Sequence, residues 1–271
     1  MIFRTRRSTI ECNTARIMAV INLTPDSFYA DSRYTADSAV EYAVKAESSG
    51  AAIIDIGAQS TAPQSTPITA EEEIRRLIPS LKAIRNAVDI PISVDTYFPE
   101  VARAALENGA DIINDVSGTA SAETASLVAQ YGAGWIVMHT GGLASNETRE
   151  SNTDIIREIN SFFTEALITA EKCLLPRENI CFDPGIGFGK SREDDLRIIS
   201  QFSDIDSHGC ATLAALSRKR VTKLCGDALT GTIIANAACI AGGADIIRVH
   251  DIEQALATVQ MTKLLTEAKN G

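Results

Sequence analysis

Short apolar runs that each end in a polar residue constrain the fold of this chain more than any other feature. About eight such runs occur in the 271 residues, and segments with helical spacing lie between most of them. The polar residues at their ends are Asn22, Ser60, Thr61, Asp95, Asn114, His139, Asp183, Ser217, Lys219 and His250. Alternating strands and helices indicate an α/β fold with a parallel sheet. Polar groups gathered at one rim are typical of a (β/α)8 barrel, the TIM barrel.

Length and element count favour one closed barrel. A doubly wound sheet is the competing architecture, but about eight repeated units with polar ends favour closure. We predict a short lid or hairpin over residues 1–15 and one barrel domain over residues 16–271. Helices are predicted at Ala36–Glu47, from a capped start at Thr69 through Leu81, and at Pro99–Asn108, Ala122–Tyr131, Asp154–Cys173, Glu193–Phe202, Gly226–Gly242 and Glu253–Ala268.

Charge and cysteine usage restrict the possible partners and compartment. A net charge of -10 argues against nucleic acid, because a phosphate-backbone binder needs a basic face. An anionic small ligand would need local cations, and the candidates are Arg218–Arg220 with Lys223, and Arg248 with His250. No apolar stretch approaches the ~20 residues of a membrane span, and no apolar segment follows the basic N-terminus. Six cysteines without a CxxC pair indicate free thiols and a cytoplasmic protein.

The polar motifs after the strands form an ordered set. They are Asn22–Phe28, Asp55–Thr61, Ser93–Thr96, Ile113–Gly118, Met138–His139, Asp183–Lys190, Leu216–Lys219 and Arg248–Asp251. Together they closely resemble the dihydropteroate synthase family, from residue 16 to the end of the chain. The resemblance implies a transferase of folate biosynthesis that condenses dihydropterin pyrophosphate with p-aminobenzoate, releases pyrophosphate and is a target of sulfonamides. It also implies a homodimer, and the apolar last helix agrees with that expectation.

The pterin ring carries N–H donors and needs buried acceptors. Asp95, Asn114 and Asp183 come from three different strands and are expected to supply them, while Lys219 is expected to donate to the ring carbonyl and ring nitrogen. The resemblance adds Met138 and Gly187 to the substrate contacts. As alternatives, Asp95 and Asp183 would cap helices or pair with a cation inside the barrel, and Asn114 would form an Asx turn.

The diphosphate end of the substrate needs positive charge. Arg248 and His250, two residues apart at a strand end, point the same way, and the resemblance assigns them to the pyrophosphate. It assigns Asn22 to Mg²⁺ and Thr61 to a further pyrophosphate contact. One neutral oxygen suits Mg²⁺, which commonly relies on substrate phosphates and retained waters.

The expected mechanism is a dissociative, SN1-like displacement by the neutral arylamine. Positive charge develops on the pterin methylene and negative charge on the pyrophosphate, and preplaced charges stabilise both. The residues expected to act in catalysis are Asp95, Lys219, Arg248 and His250.

The p-aminobenzoate site is expected to combine a stacking ring with a carboxylate contact. By resemblance it comprises Phe188, Ser217, the Lys219 stem and, on the first two loops, Phe28 and Pro63. This chain departs from the family at Ala62, where an arginine usually stands. The missing cation bears on p-aminobenzoate affinity and on sulfonamide sensitivity.

Three rival functions remain open. A pterin-binding methyltransferase acting on methyltetrahydrofolate and a corrinoid protein would share the acidic pocket, but it would not need Lys219, Arg248 and His250 for a pyrophosphate. A non-catalytic pterin-binding paralogue is made plausible by Ala62. A generic barrel aldolase or isomerase would need a strand-borne lysine and glutamate pair for proton transfer, and none is evident.

Overall fold

Eight parallel strands close into a barrel in chain order in the computed structural model, which describes residues 1–23, 36–59, 67–141 and 154–270. An antiparallel hairpin, β1 (Ile2–Arg4) and β2 (Thr9–Glu11), precedes it. The barrel strands are β3 (Arg16–Asn22), β4 (Ile53–Gly57), β5 (Ile92–Thr96), β6 (Ile112–Asp115), β7 (Gly134–Met138), β8 (Ile180–Asp183), β9 (Ala211–Ala214) and β10 (Ile246–Val249). The predicted closed barrel is confirmed, and the doubly wound alternative is excluded by the pairing of β10 with both β9 and β3.

Helices lie between the strands, as predicted. They are α1 (Ala36–Ser48), α2 (Ala70–Arg85), α3 (Pro99–Glu107), α4 (Ala122–Tyr131), α5 (Ile155–Lys172), α6 (Arg192–Ser200), α7 (Ala228–Ala241) and α8 (Ile252–Asn270), with short 3₁₀ turns at Arg177–Asn179, Phe202–Asp204 and Arg220–Cys225. In the part of the chain that the structure describes, no helix is both long and apolar enough to span a bilayer.

Local capping chemistry explains where several helices begin. The side chain of Thr69 accepts from the Glu72 amide at 3.3 Å, which confirms the predicted capped start of α2. Several predicted boundaries were wrong by one or two residues: α6 ends at Ser200 rather than Phe202, and α7 begins at Ala228 rather than Gly226. The Asp227 carboxylate accepts from the Thr230 amide at 2.7 Å and fixes the first turn there.

The hairpin covers the amino-terminal end of the barrel. Phe3 and Ile10 are buried in one cluster with the first inward-facing residues of the strands, including Met18, Ile53 and Ile112. The Arg6 amide donates to the carbonyl of Asp111, the residue before β6. The hairpin therefore lies opposite the strand ends that carry the predicted functional residues.

The strands carry different inward-facing residues at their two ends. Side chains alternate between the barrel interior and the helices, so every second residue faces inward. Near the amino ends these residues are apolar. Towards the carboxyl ends they become Asp55, Asp95, Asn114, Asp183 and Arg248. The outward-facing residues pack against the helices in a separate apolar core.

Candidate active site

The barrel brings most of the predicted site residues to one mouth. Asp95 lies opposite Asn114 on the neighbouring strand, and Met138 lies opposite Asp183 in the same way. Asn114, Met138 and Asp183 are almost completely buried. The loops after β8 and β9 carry the remaining described members of the set, which are Gly187, Phe188, Ser217 and Lys219, and His250 follows β10. Phe28, Thr61 and Pro63, together with Ala62, lie outside the described residues.

Arg248 lies between two carboxylates at the centre of this mouth. Its Nε donates to Asp55 Oδ2 at 2.7 Å, and its Nη2 donates to Asp95 Oδ2 at 2.9 Å. Asn114 Nδ2 lies 3.4 Å from the same Asp55 oxygen. Asp95 is therefore paired with a cation inside the barrel, one of the alternatives that the sequence left open. An arginine held by two acids is also fixed in place before any anion reaches it.

The environment of these groups changes their protonation. Burial raises the pKa of Asp95 to about 7, although the adjacent Arg248 opposes that rise. Burial also raises the pKa of Asp183, and Lys219 acts against it. Burial disfavours the charge of Arg248, but Asp55 and Asp95 outweigh that effect and raise its pKa. The mouth thus contains one acid, Asp95, that exchanges a proton near neutral pH, and it lies beside an arginine that stays charged.

Lys219 connects the mouth to the loop after β8. Its Nζ donates to the Ile186 carbonyl at 2.6 Å and lies 4.3 Å from the centre of the Phe188 ring. Burial lowers its pKa to about 8, with Asp183 opposing the decrease. Gly187 has φ 82°, and a Cβ there would lie 3.0 Å from Lys219 Cδ. Glycine at this position lets the lysine stem pass close to the loop backbone.

His250 is a neutral group in this structure. Its Nδ1 lies 3.1 Å from Ser217 Oγ, and its backbone amide donates to the same oxygen at 3.3 Å. Burial lowers the pKa of His250 to about 4, and the nearby Arg248 acts in the same direction. The expected cationic pair is therefore one cation, Arg248, beside an imidazole that can serve as a hydrogen-bond partner.

Sequence reasoning left three buried polar residues near the mouth out of the candidate site. Asp55 and Ser93 face each other on β4 and β5, and Asp55 Oδ1 and Ser93 Oγ are buried without a hydrogen-bond partner. Glu73 on α2 is completely buried, and its carboxylate lies beside the Thr96 side chain at the end of β5. The signal for Asp55 was present in the sequence, since a charged residue inside an apolar strand is rarely buried without a role.

The predicted magnesium position offers little from the protein alone. Asn22 is the last residue of β3 and pairs with Gly57. Among the described residues, no group of three or more His, Cys, Asp or Glu side chains could hold a metal ion. One amide oxygen is compatible with Mg²⁺ when substrate phosphates supply further ligands, and it does not make a site of its own.

Comparison with known proteins agrees with this architecture. The profile of the family described as "Pterin binding enzyme" matches residues 18–250. The chain is 38% identical to dihydropteroate synthase of Synechocystis sp. over 88% of this chain and 85% of that protein. It is also 38% identical to a probable bifunctional folylpolyglutamate synthase/dihydropteroate synthase of Haloferax volcanii, of which it spans 30%, and it spans 34% of the Pneumocystis carinii folic acid synthesis protein.

Solved structures give the same result. Xanthomonas albilineans dihydropteroate synthase with 4-aminobenzoic acid is 30% identical, covers 99% of both chains and superposes with a TM-score of 0.88. A Yersinia pestis dihydropteroate synthase in complex with a sulfonamide drug is 26% identical, covers 98% of this chain and 100% of that chain, and has a TM-score of 0.92. The fold is that of the pterin-binding enzymes. Within this class, the chain belongs to the dihydropteroate synthase family.

Proposed function

We propose that this chain condenses dihydropterin pyrophosphate with p-aminobenzoate to form dihydropteroate and pyrophosphate in folate biosynthesis. The observation that carries the proposal is the convergence of Asp95, Asn114 and Asp183 with the cations Lys219 and Arg248 at one barrel mouth. The relatives named above, one with 4-aminobenzoic acid and one with a sulfonamide, support the same substrate class.

The acceptors suit the hydrogen-bonding edge of a pterin. Asn114 Oδ1 is buried without a hydrogen-bond partner, and Asp183 uses Oδ1 to accept from the Gly185 amide at 2.7 Å. A ring N–H would satisfy the first atom and would find the other oxygen of Asp183 beside it. A buried polar edge discriminates strongly, because a wrong ligand leaves such groups unpaired. Lys219 would donate to the ring, and Met138 would pack against it.

The leaving pyrophosphate would lie against Arg248 and His250. Because burial lowers the pKa of His250 to about 4, its imidazole would contact the pyrophosphate as a neutral hydrogen-bonding group, and Arg248 would supply the positive charge. Asn22 would hold Mg²⁺ together with phosphate oxygens, and the ion would supply charge stabilisation of the leaving group. Thr61 is proposed as a further pyrophosphate contact. We retain the SN1-like displacement, with Asp95 favouring the electron-poor pterin methylene.

The second substrate would lie beside Phe188. The half-exposed Phe188 ring, with the Lys219 ammonium 4.3 Å from its centre, offers a face on which an aminobenzoate ring could stack. Ser217 would need to rotate away from His250 to reach a carboxylate. Pro63 and Phe28 are proposed to complete this site from the first two loops.

Assembly and compartment are also part of the proposal. On α8, Ile252 is buried, whereas Met261, Leu264 and Leu265 are exposed, and Ile234 is exposed on α7, which packs against α8. Large apolar side chains grouped on one surface favour a homodimer through these helices. All six cysteines are free thiols, which suits a reducing cytoplasm. Sedimentation would test the dimer, and a monomer at micromolar concentration would contradict it.

A turnover assay tests the main proposal. The protein is mixed with Mg²⁺ and dihydropterin pyrophosphate, and pyrophosphate release is followed with and without p-aminobenzoate. Release that depends on p-aminobenzoate is the expected result. Pterin binding without release would instead indicate a non-catalytic paralogue, and methyl transfer from methyltetrahydrofolate to a corrinoid protein would indicate the methyltransferase.

A further inference from the structure

The loop Pro184–Gly189, which we call the glycine loop, touches both halves of the proposed site. It follows Asp183, receives Lys219 on the Ile186 carbonyl and carries Phe188. Its three glycines have φ values of 67°, 82° and 61°, which L-residues with side chains rarely adopt. The position of Phe188 relative to Lys219 therefore depends on what holds this loop.

A buried ammonium group holds the glycine loop on one side. Lys190 is 1% exposed, and its Nζ donates to the carbonyls of Gly185 at 2.8 Å, His139 at 3.1 Å and Phe188 at 3.4 Å. A buried charge is tolerated only when its hydrogen-bonding capacity is satisfied, and an ammonium has three donors. Gly185 lies so close to His139 that a Cβ would be 1.8 Å from the same carbonyl. Lys190 thus joins the loop to the end of β7.

A buried carboxylate holds the glycine loop on the other side. Asp195 on α6 is 0% exposed, and its Oδ1 accepts from the Gly187 amide at 2.7 Å. Arg220 connects the two groups, because its Nη2 donates to the Lys190 carbonyl at 2.9 Å and lies 4.0 Å from Asp195 Oδ2. Gly187 is also the residue beside the Lys219 stem.

We infer that Lys190 and Asp195 are positioning residues that fix Phe188 against Lys219 and so set the fit of the arylamine substrate. The inference rests on the proposed function for its substrate. Neither residue belongs to the set of side chains proposed to contact the pterin or the arylamine. Both act on the backbone of the loop that carries Phe188, so their loss should affect p-aminobenzoate more than the pterin. A misplacement of about 1 Å can cost up to about 100-fold in rate.

The test compares Asp195→Ala with two variants that have matched chemistry. Asp195→Asn keeps an oxygen that can accept from Gly187. Asp194→Ala removes the neighbouring buried carboxylate, which accepts from the Ser191 amide at 3.2 Å and caps the same helix. We expect Asp195→Ala to raise KM for p-aminobenzoate about tenfold or more, with the calorimetric affinity for a pterin within about threefold of the wild type. Asp195→Asn should restore most of the affinity for p-aminobenzoate. Asp194→Ala should not change the KM for p-aminobenzoate more than it changes the affinity for the pterin.

Lys190→Met and Lys190→Arg test the other side in the same assays. We expect selective loss of p-aminobenzoate affinity in the methionine variant and partial rescue by arginine, which keeps donors. If Lys190→Met does not fold, Lys190→Arg and the Asp195 pair decide the question. The inference would be overturned if KM for p-aminobenzoate rose no more in the Asp195→Ala and Lys190→Met variants than in Asp194→Ala. It would also be overturned if these variants lost affinity for p-aminobenzoate and for the pterin equally.

Hydrogen exchange separates this inference from the proposed function. The Gly187 amide should exchange slowly in the wild type and in Asp194→Ala, and at least tenfold faster in Asp195→Ala, because its acceptor is lost. Unchanged exchange would overturn the inference even in an active enzyme. If the wild type releases no pyrophosphate, the proposed function fails, while the exchange result still decides whether Asp195 holds the loop.

Discussion

The two ends of this barrel are built from the same strands but serve different purposes. At the amino-terminal end, the inward-facing residues are apolar and the hairpin covers them through Phe3 and Ile10. Two to four residues further along the same strands, the inward-facing residues become Asp55, Asp95 and Arg248, joined by ion pairs. The difference agrees with a division in which one end supplies stability and the other carries the proposed site, as in barrel enzymes generally.

The open end also contains buried polar atoms that lack hydrogen-bond partners. They include Asp55 Oδ1, Ser93 Oγ and Asn114 Oδ1. Such atoms destabilise a folded protein by about 1–3 kcal/mol each. The mouth is therefore suited to a ligand that forms hydrogen bonds with these atoms.

The largest expected effect is on stability, at the covered end. Phe3 is 0% exposed and packs beside Ile112 and Gly134. Phe3→Ala should lower the free energy of unfolding by about 3–5 kcal/mol, because it removes a buried ring and leaves a cavity. Urea denaturation measures this, with the exposed Ile2→Ala as the control. Unchanged KM values in the folded fraction are expected, and a selective loss of substrate affinity would break the division between the two ends.

The next effect is on function, at the open end. Asp183→Asn keeps an oxygen for the Gly185 amide but removes the carboxylate charge. We expect pyrophosphate release to slow by about 100- to 1000-fold, the usual cost of losing one preplaced electrostatic partner. Stability should change by less than about 1 kcal/mol, because burial already disfavours the charged form. A rate within threefold of the wild type would remove Asp183 from the proposed site.

A smaller effect concerns the pH dependence of stability. Burial raises the pKa of Glu73 from 4.5 to about 7. Across that interval the folded protein keeps a proton that the unfolded chain has lost, so this group lowers the free energy of unfolding as pH rises, and the loss persists above pH 7. Glu73→Gln should therefore be more stable than the wild type by about 1–3 kcal/mol at pH 8 and nearly equal to it at pH 4.

Thermal unfolding across pH measures the Glu73 effect. Glu72→Gln is the matched control, since Glu72 is ion-paired with Arg75 and Arg76 on the outside of the same helix. This control should leave the pH dependence of stability almost unchanged, because solvent screens an exposed ion pair. Parallel pH curves for the wild type and Glu73→Gln would show that folding does not raise the pKa of Glu73, and they would contradict this prediction.

The smallest expected effect is at His250. Because its pKa is about 4, His250 is neutral at pH 7, and its removal deletes a hydrogen-bond partner rather than a fixed charge. His250→Ala should slow turnover about tenfold, or ~1.4 kcal/mol, and leave the affinity for a pterin without pyrophosphate unchanged. The Ser217→Ala variant removes the neighbouring hydroxyl and serves as the control. An unchanged turnover rate in His250→Ala would contradict the assignment of His250 to the pyrophosphate leaving group.

Much of this arrangement could be predicted because parallel strands in chain order bring their carboxyl ends together. That rule placed Asp95 and Asn114 on neighbouring strands, and Asp183 two strands further on at the same end of the barrel, without knowledge of any contact. The helical spacing of α2 also predicts that Glu73 faces inward, because it lies four residues before the buried Leu77 and eight before the buried Leu81. It was missed because it follows two other glutamates, and only the phase of the helix decides which of them points inward.

Other features could not be predicted because they depend on distances across the barrel. Asp55 and Arg248 lie on β4 and β10, which β3 separates, so no local pattern indicates their ion pair. The neutral state of His250 depends on burial among cations that come from different strands. The support of the glycine loop by Lys190 and Asp195 depends on close backbone approaches that spacing alone does not reveal.

The central claim is that the acceptors at the mouth bind the pterin ring while Arg248 and His250 bind the diphosphate. A crystal structure with bound dihydropterin pyrophosphate tests this claim most directly. We predict that the ring edge contacts Asp95, Asn114 and Asp183, with the diphosphate against Arg248 and His250. A reversed ligand, or a mouth in which Arg248 keeps both of its carboxylate partners and no pterin binds, would contradict it.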